Sequence, residues 1–204
     1  MRDGLHQMKG YYRAMRKLIL ASGSPRRAEL LKSAGFEFEV RAADIDESPL
    51  ASEAASDYVI RVAREKAQSV ASGITGTGAI VLAADTTVVT NSRIMGKPRN
   101  GEDAANMLAA LSGTVHEVLT GVVVRVDTRE QVELVTTRVH FLPLTPAVIA
   151  WYVGTGEPSG KAGAYAIQGY AARFIDWIDG SWSNVVGLPL ATVSRMLEDA
   201  GFVD

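Results

Sequence analysis

Apolar and polar positions along this chain follow two periods, and the changes from one period to the other mark its elements. Lys17 to Ser22 is a short apolar run that reads as a buried strand, and Ser24-Pro25 opens a helix that reaches Ala34 and is closed by Gly35. Phe36 to Arg41 alternates as a short strand, followed by the acidic loop Asp44-Ile45-Asp46-Glu47. Residues 55–71 repeat apolar positions at helical spacing and stop before Gly73. Ala79 to Thr90 reads as a strand, a hairpin turn is predicted at Asn91-Ser92, and Gly101 to Leu111 is a helix ending at Ser112-Gly113. Val115 to Val126 and Gln131 to Leu142 alternate as an antiparallel pair joined through Asp127 to Glu130. Thr145-Pro146 opens a helix through Val153, a Gly-rich stretch spans 156–169, a strand lies near Arg173 to Ile178, and Leu188-Pro189 opens the last helix. Helices and strands alternate in the first half and strands pair antiparallel in the second, which predicts an α/β fold on a mixed sheet.

Several charges break the patterns that contain them. Asp85 is the only charge in Ala79-Ile-Val-Leu-Ala-Ala-Asp-Thr-Thr-Val-Val, where a carboxylate is costly unless it is paired, hydrogen-bonded or metal-bound. It either serves chemistry at the carboxyl end of a strand or turns the chain with Thr86 and Thr87 as partners. At 100° per residue Val59, Val62, Ala63 and Val70 share one helix face and Lys66 lies near its middle, whereas Arg61, Arg64 and Gln68 point away. Lys66 therefore either snorkels past the core or directs its ammonium into an internal polar site. Ser24 is a good N-cap with Pro25 at the first helical position, yet Arg26 and Arg27 follow where the helix dipole favours acids. Two guanidinium groups beside free amides suit a bound anion, most naturally a phosphate chain; the alternative is a solvated pair. Taken singly, Lys97, Asp46 and Glu47 read as loop charges and Asn184 as a turn residue. Gln168 offers an amide that either reads a base edge or satisfies a buried backbone group.

The chain has 204 residues, 47% of them hydrophobic and 22% charged, enough for one domain with a real core. A net charge of −2 lacks the broad cationic face of a nucleic-acid or membrane-surface binder, so any anion site is local. There is no cysteine, and His6, His116 and His140 are too scattered for a paired-histidine zinc motif. A required metal would be a hard cation on carboxylates and phosphate oxygens, Mg²⁺ or Mn²⁺. No stretch is apolar enough to span a bilayer, and Leu18 to Ala21 is too short a run for a signal peptide, which predicts a cytoplasmic protein. Residues 1–16 read as an N-terminal extension, a disordered tail or a start-site artefact given Met8 and Met15, and 17–204 as the domain.

Cations for phosphates, carboxylates for a hard metal and an amide for a base together describe a nucleotide site with phosphoryl chemistry. Six motifs occur in order: Ser22-Gly-Ser-Pro-Arg-Arg, Ala63-Arg-Glu-Lys-Ala, Ala84-Asp-Thr, Gly96-Lys-Pro, Lys161-Ala-Gly-Ala-Tyr-Ala-Ile-Gln-Gly and Asn184-Val-Val-Gly-Leu-Pro. On these the chain resembles the Maf family, also called septum formation inhibitor proteins, which are nucleoside triphosphate pyrophosphatases. The resemblance implies a fold like that of the inosine triphosphatases, with two lobes around a central cleft, and a homodimer. By position it implies Asp85 as proton acceptor and metal-associated carboxylate, assisted at the metal by Asp46 or Glu47; many members carry Glu in place of Asp46, which leaves the two open. It further implies Ser24, Arg27, Lys66, Lys97 and Lys161 on the triphosphate. Arg26, Thr86 and Gln168 match the specificity positions of the subgroup that hydrolyses dTTP and UTP to monophosphate and pyrophosphate. Members acting on 7-methyl-GTP tend to carry Trp, Gln and Glu there. The rival readings are a 7-methyl-GTP pyrophosphatase and a nucleotide-binding regulator of cell division whose catalysis is incidental.

Overall fold

The computed structural model describes residues 16–76 and 78–202. Its elements are β1 (Leu18–Leu20), α1 (Pro25–Ser33), β2 (Glu39–Val40), α2 (Ala55–Ser72), β3 (Ile80–Thr90), β4 (Arg93–Met95) and α3 (Gly101–Leu111) in the first half. The second half contributes β5 (Val115–Val126), β6 (Arg129–Phe141), α4 (Pro146–Gly154), β7 (Ile175–Asp179), α5 (Trp182–Val186) and α6 (Leu190–Asp199). Most of the predicted N-terminal extension lies outside the described residues; Arg16, its last member, donates to the carbonyl of Ala200 at 3.0 Å.

One sheet runs in the order β2-β1-β3-β5-β6-β7, with β4 paired to β3. β1 pairs parallel with both neighbours and every other pairing is antiparallel, giving the mixed sheet the sequence predicts. Alternation along the strands sorts two layers. Ile19, Ala21, Val81, Ala83 and Val123 pack under α2 with Ala63, Ala67 and Val70. Leu18, Leu20, Ile80, Leu82, Val122 and Val124 face the other way, into a larger core with α1, α3, α4 and α6.

Several boundaries differ from those read in the sequence. β1 keeps three residues of Lys17 to Ser22 and β2 two of Phe36 to Arg41, because their flanks leave the ladder to pack elsewhere, Phe36 and Phe38 against the larger core. Asn91 and Ser92 have φ of 47° and 60°, the left-handed pair a two-residue hairpin needs. The β5–β6 turn is tighter than Asp127 to Glu130, since Arg129 and Glu130 already pair with Val126 and Arg125. A 3₁₀ turn (Tyr170–Phe174) takes the start of the strand expected from Arg173, and α5 has no counterpart among the predicted elements.

The register opens a gap in the sheet. β1 ends against Leu82, and β4 does not begin until Met95 meets Val88, so on that edge the strand between them is unpaired. Asp85, Thr86 and Thr87 lie in this gap, beyond the carboxyl end of β1. The two-lobed form follows, with the β1–α1 turn and the loop after β2 on one side and the end of β4 and segment 160–168 on the other.

His116 sits in the larger core, its Nε2 2.9 Å from the Tyr165 hydroxyl and its ring edge-on to Phe141. Burial pushes its imidazole down from 6.5 to about 4, so the fold keeps it neutral where the unfolded chain takes a proton. Stability from this group is full above the unfolded value and is lost as pH falls towards the folded one. Between pH 7 and pH 5, urea unfolding of the wild type should lose about 2 kcal/mol more than that of His116→Gln; equal losses would show that the buried ring is not the source.

Candidate active site

The gap in β3 forms the floor of a cavity of about 830 Å³. Each side chain that the sequence singles out for chemistry lines it, although these residues come from six separate stretches of chain. They divide by the alternation of β3: Asp85 faces α2, and Thr86 faces α1 and α5.

On the α2 side, Lys66 does not snorkel. It is 6% exposed, and its Nζ lies 2.7 Å from Asp85 Oδ1 and 2.9 Å from Glu47 Oε1. The helix comes this close because Gly121 on β5 is the partner of Asp85 and faces α2: a Cβ there would lie 2.5 Å from the carbonyl oxygen of Val59. The acidic loop is tied to the same helix. The Tyr58 hydroxyl donates to the Glu47 carbonyl at 3.0 Å, and Arg61 donates to the Ser48 carbonyl at 3.0 Å while pairing with Glu53 at 2.6 Å. Burial, reinforced by the charges of Asp85 and Glu47, pushes the Tyr58 phenol up to about 12, so it stays a donor. Burial raises the Glu47 carboxyl, but the hydrogen bond and charge of Lys66, with Lys97 and Arg27 behind, outweigh it and hold it below the usual carboxylate range. Of the two acids left open by the sequence, only Glu47 is turned to Lys66. Asp46 also lines the cavity and accepts from the Ser48 amide of its own loop at 2.9 Å. Tyr58 and Arg61 were not singled out for the site; one carries no charge, and the other, though turned away from the sheet, reaches the loop.

On the other side, Arg27 is buried and spent on protein. Nε donates to the Gly187 carbonyl at 2.7 Å, and the two terminal nitrogens reach Ser22 Oγ and Thr86 Oγ1 at 3.1 Å each. The Thr86 hydroxyl is also 2.9 Å from that of Thr120. Arg27 and Thr86 thus stitch α1, β3 and the turn after α5 together. Ser24 occupies the N-cap position but its side chain makes no cap hydrogen bond, so the first-turn amides of α1 remain available at the cleft. Arg26 is half-buried beside them, and burial lowers its guanidinium pKa. Across the cleft, Lys97 is exposed, 4.0 Å from Glu47 Oε2. Lys161 donates to the Glu157 carbonyl at 2.6 Å, and burial and the charge of Arg26 lower its pKa. Gln168 is exposed at the rim. Asn184 is no simple turn residue: fully buried in α5, its amide nitrogen is 3.1 and 3.3 Å from the carbonyls of Val118 and Val135, fastening α5 to the sheet.

The model of the Maf-like protein family matches residues 17–200. The chain belongs to that family. Among its relatives, a protein of Anaeromyxobacter sp. named dTTP/UTP pyrophosphatase is 56% identical over 190 residues, 91% of this chain and 90% of that one. Proteins of the same name from Myxococcus xanthus and Geobacter metallireducens are 52% and 49% identical, over 90% and 91% of this chain and 92% and 96% of theirs.

In this Maf-like protein a hard cation would find few protein ligands. Among the described residues no group of three or more His, Asp and Glu is placed to hold a metal. Asp85 and Glu47, brought together on one ammonium, supply two carboxylates, which matches the habit of Mg²⁺ and Mn²⁺ of taking one or two acids and completing their shell from phosphate and water. The donor set fits.

Removing Lys66 leaves two carboxylates facing each other without a cation. Lys66→Met should cost about 3 kcal/mol in urea unfolding, and Lys66→Met with Asp85→Asn should recover part of it. Strict additivity of the two changes would mean that the ion pair contributes nothing to the fold.

Proposed function

We propose that this chain hydrolyses dTTP and UTP between the α and β phosphates, releasing the monophosphate and pyrophosphate. The observation that carries the reading is the pairing, across one cleft, of Asp85 and Glu47 on Lys66 with the open N-terminus of α1 and Arg26. This arrangement sits in a Maf-like protein whose relatives are named dTTP/UTP pyrophosphatases.

The triphosphate lies with its charge toward the α1 amides, Arg26, Lys97 and Lys161. Arg27 acts by fixing this wall through its bonds to Gly187, Ser22 and Thr86. Asp85 orients the attacking water and accepts its proton, and Lys66, 2.7 Å from Oδ1, holds that carboxylate aimed. Asp85 and Glu47 would hold Mg²⁺ or Mn²⁺, which neutralises phosphate charge when bound. Gln168 reads the base: thymine and uracil present an imide N–H between two carbonyls, which one amide can both accept from and donate to. A carboxylate at this position would suit 7-methyl-GTP instead, and Gln168 argues against that rival. The regulator reading has no use for an acid kept among phosphate-binding cations. Such a catalyst works on free nucleotides, in the cytoplasm; among the described residues no helix is long and apolar enough to cross a membrane.

A panel of nucleoside triphosphates with Mg²⁺ or Mn²⁺, assayed for pyrophosphate, tests class, bond and base together. dTTP and UTP should lead the panel, and Asp85→Asn should lower turnover by about two orders of magnitude or more. Near-normal turnover in a folded Asp85→Asn protein would make Asp85 structural and sink this mechanism.

A further inference from the structure

Gln168 stands on a segment with neither strand nor α-helix to hold it, at the third position of a turn closed by Gly169 N to the Ala166 carbonyl at 3.0 Å. A base reader on a loose turn would recognise little, because the cost of ordering it would fall on each binding event. Two side chains, Tyr152 near the end of α4 and Glu157 just beyond it, remove that freedom. The Tyr152 hydroxyl, fully buried, accepts from the Ala166 amide at 3.3 Å and donates to Glu157 Oε1 at 2.8 Å. The Glu157 carboxylate then accepts from the amides of Tyr170 at 2.9 Å and Ala171 at 3.2 Å. The backbone on both sides of Gln168 is thus fastened to one hydrogen-bonded pair. Contact is close enough that a Cβ on Gly169 would collide with the carboxylate. Glu157 also reaches the phosphate end of the cleft, since its carbonyl accepts from Lys161 Nζ at 2.6 Å.

We propose that Glu157, locked by Tyr152, is a positioning residue for base discrimination: it holds the Gln168 turn in register with Lys161, so that base and phosphates are gripped at a fixed separation. This rests on the reading of the cleft as a dTTP/UTP pyrophosphatase. Glu157 touches no reacting atom, and its loss acts through Gln168.

The test compares wild type, Glu157→Gln and Tyr152→Phe. An amide at 157 turns donors toward backbone N–H groups, and a phenyl ring at 152 frees both Ala166 and Glu157. For dTTP, KM should rise about tenfold in each variant, the equivalent of one hydrogen bond's worth of ordering, with a smaller change in kcat. The kcat/KM preference for dTTP over dCTP, whose ring lacks the imide N–H, should fall about fivefold or more in each. Backbone amides of residues 166–171 should exchange hydrogen faster. A lowered melting temperature with the dTTP to dCTP ratio unchanged in the folded variants overturns the proposal, because a purely structural residue would do that. If either variant fails to fold, the other decides on the same ratio. Wild-type protein that releases no pyrophosphate from dTTP or UTP overturns the underlying reading and this one with it, whereas wild-type turnover with an unmoved ratio overturns this one alone.

Discussion

The ammonium of Lys66 occupies a place that neither α2 nor the sheet would tolerate by itself. Burying a lone cation costs several kcal/mol, and so does burying a lone carboxylate beside it. Shared between Asp85 and Glu47, the charge joins three parts of the chain at one point: the inner face of α2, the middle of β3 and the loop after β2. Such a cluster adds little net stability over a well-packed apolar one, but it is exacting about geometry. Tyr58 and Arg61 hold the loop to the same helix, so its acid is delivered to the cleft in one orientation.

β3 separates two kinds of work by its pleat. Asp85, on the α2 face, belongs to the acidic side, and Thr86, one residue on, faces the guanidinium of Arg27 and the turn after α5. The carboxylate of Asp85 and the guanidinium of Arg27 are thereby held on opposite faces of the strand, although the two β3 residues concerned are adjacent in sequence. What lets a ligand reach both is the missing neighbour along that edge, between the end of β1 and the start of β4.

Much of this was legible in the sequence where a single residue broke a local rule. Asp85 interrupts an apolar strand and Lys66 an apolar helix face, and each anomaly marks an atom of the buried cluster. The long strands and helices were legible for the complementary reason that their periods persist over ten residues or more. β1 and β2 were legible as strands but not in their bounds, because the extent of a two- or three-residue ladder is set by its neighbours. The same limit hid the partners. Nothing local tells that Arg27 will be spent on Gly187, 160 positions away, or that Asn184 will fasten α5 to β5 and β6. Asp46 and Glu47 could not be told apart by chemistry, since adjacent acids in a loop differ only in where the backbone turns them.

Gly121 gives the site a mechanical character. Because a glycine stands opposite Asp85, α2 meets β5 backbone against backbone at that point, with no side chain of β5 between them to deform. Interposed side chains hop between rotamers and yield under warming, whereas helix and strand backbones are the stiffest parts of a domain. The spacing of the lysine from its acid is therefore gauged by the framework itself. Repacking of the surrounding core can change how tightly the molecule holds together and leave the calibration of the site untouched.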